Sequence, residues 1–202
     1  MFLQRRPLLL ASASPRRAQL LKDIGINFNV ITTAIDEAAL EGENPIDYTM
    51  RLAREKACAG RDAAFPVVAS GDSVVQGAVV LGADTIVTLG GELLGKPQDE
   101  TAARETWRKL GGTVHEVVTA VALADAQHCE VQVVRTKVWF DVLSEEDMAA
   151  YWASGEPQDK AGAYGIQGLG ALFVSRIEGS YSGVVGLPLR ETGLLLRDFA
   201  VV

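Results

Sequence analysis

Residues 8–21, LLLASASPRRAQLL, narrow the possible folds more than any other part of the chain, because they read as a strand, a tight turn and a helix with no linker between them. The apolar run 8–11 is of buried-strand type. Ser14 is a good N-cap, Pro15 suits the first helical position, Leu20, Leu21 and Ile24 form an apolar stripe, and Gly25 stops the helix. A strand feeding directly into a helix is the opening of an α/β fold. The turn carries the Ser12 and Ser14 hydroxyls and free backbone N–H groups, and Arg16 and Arg17 follow in the first helical turn. Cations there oppose the helix dipole by about 0.3–1 kcal/mol each, a cost that disappears when a polyanion sits at the helix N-terminus. The turn therefore reads either as a phosphate site or as a surface across which the arginines merely lie.

A chain of 202 residues with 48% hydrophobic and 22% charged residues can bury a sizeable core, as one α/β domain or two closely packed lobes. It contains no uncharged apolar run of about 18 residues, and its first residues lack the apolar centre of a signal peptide, so no membrane span and a cytoplasmic address are expected. Cys58 and Cys129 are far apart in sequence and outside any C-x-x-C pattern, and read as buried thiols in a reducing compartment. A formal charge of −7 argues against a nucleic-acid partner, which would call for a broad basic face. A small anionic ligand needs only a local cluster, for which Arg16, Arg17, Lys56 and Lys96 are candidates.

Elements alternate along the chain. Residues 28–31 read as a short strand, Asn44-Pro45 opens a helix through Met50, Ala53 and Ala57, and 69–77 reads as an exposed loop. Residues 78–89 form a second buried strand, interrupted at Gly82-Ala83-Asp84-Thr85. Gly90-Gly91 is a hairpin-type turn, and Asp99 caps a helix through Ala103 and Trp107 to a stop at Gly111-Gly112. The Val- and Thr-rich segments 114–123 and 130–140 suggest an antiparallel pair, and Ser144 with Asp147 starts another helix. A glycine-rich loop at 161–170, a strand at 171–177 and a terminal helix at 188–199 complete the chain. The mixture predicts an α/β fold: a mixed twisted sheet with flanking helices, and two lobes around a cleft where loops converge at strand ends.

An ionisable Asp84 inside such an apolar strand would cost several kcal/mol if buried without a partner. A metal ion, an arginine or a lysine would serve, as would backbone N–H groups at a bulge; beside phosphate and metal, the carboxylate could accept a proton from an attacking water. Glu37, just after the second strand, is the candidate second metal ligand, although Glu41 and Glu43 nearby fit a merely solvated acidic stretch. With only two histidines and no cysteine cluster, any metal should be hard and oxygen-bound, Mg²⁺ or Mn²⁺. Lys56 adjoins the apolar face of its helix and could clamp phosphate or snorkel along the helix edge; Lys96 sits in a rigid Gly-Lys-Pro turn. The loop 161–170 matches no phosphate fingerprint, but Gln167 could read a base edge and Tyr164 could pack beside the base. The alternative for that loop is a tight turn that needs glycine dihedrals.

Taken together, S-x-S-P-R-R, the Glu37 region, R-L-A-x-x-K-A at 51–57, G-A-D-T at 82–85, G-K-P at 95–97, H-x-V-x-T at 115–119, A-G-A-Y-G-I-Q-G at 161–168 and V-V-G-L-P at 184–188 resemble the Maf family of nucleotide pyrophosphatases, in order and over nearly the whole chain. The resemblance implies an α/β fold of the inosine-triphosphatase type as a single domain over 1–202, commonly a homodimer. It implies hydrolysis of nucleoside triphosphates to the monophosphate and pyrophosphate with a divalent metal. Asp84 would be the proton acceptor, and Ser12, Arg17, Lys56 and Lys96 would hold phosphates. Arg16, Thr85 and Gln167 match the set that marks the dTTP/UTP branch, whose substrates would include modified pyrimidine triphosphates. The 7-methyl-GTP branch carries other residues there. Whether Asp84 acts as base, metal ligand or both stays open, and a nucleotide-binding regulator of cell division without turnover is the rival from another class. Gly183, where the family often has asparagine, and a long 63–77 connection are departures.

Overall fold

The structure is a computed structural model that describes residues 3–69 and 77–202, the side chains of 65–69 excepted. Its elements in chain order are β1 (Leu8–Leu10), α1 (Pro15–Asp23), β2 (Asn29–Val30), α2 (Pro45–Ala69), β3 (Val79–Leu89), β4 (Glu92–Leu94), α3 (Glu100–Leu110), β5 (Thr113–Ala124), β6 (Cys129–Phe140), α4 (Glu145–Ala153), β7 (Val174–Glu178), α5 (Tyr181–Val185) and α6 (Leu189–Asp198). Short 3-10 turns occupy Glu156–Asp159, Ala161–Ala163 and Gly168–Phe173. The hydrogen-bonded strand order is β2-β1-β3-β5-β6-β7, with β4 on β3. β1 runs parallel to β2 and β3, while β4 and β7 are antiparallel to β3 and β6, so the sheet is mixed as expected. Gly90 and Gly91, at φ +59° and +90°, supply the left-handed backbone that a two-residue hairpin turn requires.

The chain divides into two compact units, one of Met1–Asp84, Thr119–Val133 and Gly186–Val202, the other of Thr85–Val118 and Val134–Val185. In the first, Leu9, Ala11, Val80 and Ala64 form one buried cluster, and Ala53, Ala57, Ala120, Ala122 and Ala124 form another. Small side chains let α2 lie close to the sheet. At Gly82 the approach is closest: a Cβ there would stand 2.4 Å from the Ala53 carbonyl oxygen and 2.5 Å from the Ala57 nitrogen. This corrects the expected interruption of the strand. β3 is continuous through Gly82-Ala83-Asp84-Thr85, because the glycine marks a helix backbone approaching rather than a break in the ladder. The cysteines differ from expectation too. Both are half-buried, Cys58 on α2 and Cys129 on β6, and pack against the same alanine cluster.

The second unit packs around fully buried Trp107, with Leu110, Phe140, Met148, Tyr151 and Tyr164 in the same cluster. α3 and α4 start where their caps demand. Asp99 accepts from the Ala102 N–H at 2.8 Å, and Ser144 with Asp147 closes a reciprocal capping box. The strand expected at 171–177 starts only at Val174, since residues 168–173 coil into a 3-10 turn whose first N–H groups are taken by a carboxylate. The short β4 and α5 were not legible, each being too brief to show a period. Among the described residues no helix is long and apolar enough to cross a membrane. The expected exposed loop lies outside the described residues between Ala69 and Gly77.

Candidate functional site

In the first unit the β1–α1 turn is held by its own serines. Ser14 caps α1, accepting from the Arg17 N–H at 3.4 Å, and Ser12 Oγ accepts from the Ser14 N–H at 3.2 Å. The Arg17 guanidinium folds back over this turn: Nη1 donates to Ser12 Oγ at 3.1 Å and Nε to the Gly186 carbonyl at 2.8 Å. The V-V-G-L-P segment thus contributes a backbone oxygen that orients the arginine. Burial holds Arg17 below the ordinary guanidinium value, opposed first by Asp84; Arg16 adds to the lowering and Glu37 opposes it. A guanidinium stays charged under these conditions, so a fixed cation stands at a helix N-terminus whose first turn has no acidic residue.

Asp84 has its partner in Lys56. The ammonium lies 2.7 Å from Asp84 Oδ1 and 2.7 Å from Glu37 Oε1, so two carboxylates converge on one cation. The Lys56 and Asp84 side chains are largely covered and Glu37 is open to solvent, at 13%, 12% and 58% exposure. α2 supplies Lys56, β3 supplies Asp84, and the loop after β2 supplies Glu37. That loop is fastened to α2 by residues the sequence reading missed. Tyr48 donates its hydroxyl to the Glu37 carbonyl at 2.9 Å. Arg51 grips the Glu43 carboxylate with two hydrogen bonds of 2.7 and 2.8 Å and donates to the Ala38 carbonyl at 3.0 Å. Burial, then Asp84 and Glu37, push the Tyr48 hydroxyl pKa up, while the Glu43 contact holds Arg51 more firmly protonated. The spacing 48, 51, 55 on one helix face was the available signal, but nothing in it tells which loop the face would meet.

The other candidates lie in the second unit. Thr85 follows Asp84 on β3 and is half-buried; Lys96 is exposed in the turn after β4, where the Gly95 carbonyl accepts from the Gly162 N–H at 3.1 Å. Gln167 is exposed ahead of the 3-10 turn and makes no capping hydrogen bond with its side chain. Tyr164 departs from expectation. It is buried, its hydroxyl is 2.7 Å from His115 Nε2, and its ring packs against Phe140, so it belongs to the core and is not available to a base. His115 is itself 1% exposed, and burial pushes its pKa down to about 4, so it is neutral near pH 7. At Gly183 the backbone N–H donates to Ser180 Oγ at 3.0 Å. Among the described residues no group of three or more His, Cys, Asp or Glu side chains converges as a metal cage.

These features define an α/β protein with an anion-ready strand-to-helix turn and, in the same unit, a lysine bridging two carboxylates. The chain belongs to the Maf family, whose model, described as Maf-like protein, matches residues 7–199. It is 50% identical over 197 residues, 98% of this chain and 94% of the relative, to the dTTP/UTP pyrophosphatase of Hahella chejuensis. It is 54% identical over 192 residues, 95% of this chain and 92% of the relative, to proteins of Shigella sonnei and Shigella flexneri, named dTTP/UTP pyrophosphatase and nucleoside triphosphate pyrophosphatase respectively. Against the solved structure of the Staphylococcus aureus Ham1 protein the TM-score is 0.40 at 16% identity, covering 67% of this chain and 71% of that one.

Proposed function

We propose that this protein is a nucleoside triphosphate pyrophosphatase that cleaves dTTP, UTP and modified pyrimidine triphosphates to the monophosphate and pyrophosphate. The observation that carries this reading is the convergence of Glu37 and Asp84 on Lys56 in the unit that also holds the Arg17 turn. Cleavage between the α- and β-phosphates needs a water deprotonated near the α-phosphorus and cations along the departing pyrophosphate. Asp84 accepts the proton of that water. Ser12, Arg17, Lys56 and Lys96 hold the phosphates, and Arg16, Thr85 and Gln167 select the base. Glu37 and Asp84 offer hard carboxylate oxygens that suit Mg²⁺ or Mn²⁺, and such an ion supplies Lewis-acid polarisation of phosphoryl oxygens. Lys56 holds those two carboxylates together.

We read the two units as one domain over 1–202, supported by a chain that passes between them four times. A homodimer and a cytoplasmic address belong to the same reading and rest on the family. The test is incubation of the purified protein with each common nucleoside triphosphate and with 7-methyl-GTP, plus Mg²⁺, reading pyrophosphate and orthophosphate separately. Pyrophosphate released chiefly from dTTP and UTP is expected, lost with a chelator and restored by Mg²⁺ or Mn²⁺. Orthophosphate as first product overturns the reading. A preference for 7-methyl-GTP moves the protein to the sister branch, and tight binding without turnover makes it a regulator.

A further inference from the structure

Gln167 stands on a segment whose two ends are tied to a single carboxylate. Glu156 Oε2 accepts from the Leu169 N–H at 2.8 Å, and Oε1 accepts from the Gly170 N–H at 2.9 Å. Oε1 also accepts from the Tyr151 hydroxyl at 2.8 Å, and the same hydroxyl oxygen accepts from the Gly165 N–H at 3.1 Å. The backbone on both sides of Gln167 therefore leads to Glu156, directly at 169–170 and through one hydroxyl at 165. The glycines show how tightly the loop closes. A Cβ at Gly170 would lie 2.2 Å from the Gly165 carbonyl oxygen and 2.4 Å from the Tyr151 hydroxyl, and one at Gly168, where φ is +77°, would lie 2.4 Å from Glu156 Oε2. Between the ties, Ile166 turns inward and is buried while Gln167 turns outward and is exposed. Tyr151 cannot shift to relax the arrangement, because its ring packs on Trp107 and Phe173 at 5.3 Å between centroids in each case.

We infer that Glu156, acting with Tyr151, is a positioning residue for base selection: the carboxylate fixes the backbone of the loop so that the Gln167 amide meets the base edge in one orientation. This rests on the reading of Gln167 as the base-selecting residue. An amide selects by directional donor and acceptor geometry, so an amide free to swing discriminates poorly even when present. A glutamine in place of Glu156 would turn an NH₂ group toward a backbone N–H and open one tie, whereas phenylalanine in place of Tyr151 removes only the hydroxyl relay.

The experiment is steady-state kinetics of wild type, Glu156→Gln, Tyr151→Phe, Gln167→Ala and the double variants that combine each of the first two with Gln167→Ala. Substrates are dTTP, UTP, CTP and GTP, with inorganic pyrophosphate as competitive inhibitor and thermal melts as a check on folding. Glu156→Gln and Tyr151→Phe should lower the kcat/KM ratio of dTTP over CTP and GTP by about tenfold, chiefly through KM, while pyrophosphate inhibition stays unchanged. In the Gln167→Ala background neither should lower that ratio further. If Gln167→Ala abolishes discrimination and folded Tyr151→Phe and Glu156→Gln keep it, the positioning role is overturned and the reading of Gln167 stands. Equal losses for all four nucleotides also overturn it, reducing the clamp to a structural support. If Gln167→Ala itself leaves discrimination intact, the base-selecting reading fails and takes the positioning role with it. Should Glu156→Gln not fold, Tyr151→Phe alone decides by the same ratios.

Discussion

Asp84 is a carboxylate placed where a strand would ordinarily carry an apolar side chain, and its only affordable state is a paired one. Lys56 at 2.7 Å supplies the pairing, and the same ammonium reaches Glu37. Replacing Asp84 by asparagine keeps the volume and leaves Lys56 one carboxylate partner, so the fold should survive. Turnover should fall by about 10²–10⁴-fold, the range for loss of a general base. A kcat measurement beside a thermal melt checks this; near-normal turnover in the folded variant would remove Asp84 from the mechanism. Tyr164 shows the opposite lesson at this scale. Its position beside Gln167 in sequence suggests a partner for a base, but the alternating direction of neighbouring side chains sends it into the core against His115.

Among the elements, α2 matters most for the site, since it carries Lys56, Tyr48 and Arg51 and lies against β3 at Gly82. Gly82→Ala would drive a methyl group into the α2 backbone, not into a side chain that can swing away. We expect a loss of about 1–3 kcal/mol of stability, readable as a lower denaturation midpoint. Activity should drop as well, because the helix that must move carries the lysine. A Gly82→Ala protein with wild-type midpoint and wild-type activity would show that the approach is looser than the geometry states. Arg51 acts on the same assembly from the loop side. Arg51→Ala removes the grip on Glu43 and Ala38; on the proposed reading of Glu37 as a metal ligand, the Mg²⁺ concentration for half-maximal activity should rise about 10- to 100-fold, as when a supporting residue behind a ligand is lost. An unchanged Mg²⁺ titration would detach Glu37 from metal binding.

For the whole molecule, the buried His115 ties stability to pH. Its folded-state pKa of about 4 lies below the ordinary 6.5, so the unfolded chain takes up the proton first. The His115 contribution is therefore constant above about pH 7, falls as pH drops from about 6.5 to about 4, and levels off below that, with a full effect of about 3 kcal/mol. Paired carboxylates add their own acid sensitivity at lower pH, so the informative quantity is a difference between two proteins. Wild type should lose more stability between pH 7.5 and pH 5 than His115→Gln in denaturant melts. Parallel losses in the two would mean that the imidazole takes up its proton in the folded state.

Much of this protein is legible without coordinates, for a local reason: caps, helix stops and tight turns are decided by residues within a few positions of each other. Ser14 and Pro15 start α1, Asp99 starts α3, Ser144 with Asp147 starts α4, and Gly90-Gly91 turns the hairpin, each as the residue types require. The ordered motifs likewise place the chain in its family, whose model matches residues 7–199, because relatives that share a fold keep their motifs in the same chain order. What the sequence could not decide are matters of approach between segments distant along the chain. That Gly82 admits a helix backbone, that Arg51 fastens the Glu37 loop, that Glu156 holds both flanks of Gln167 and that Cys58 and Cys129 pack on one alanine cluster all depend on which surfaces the folded chain brings together. Such contacts are set by packing rather than by local conformational preference, so only the tertiary structure decided them.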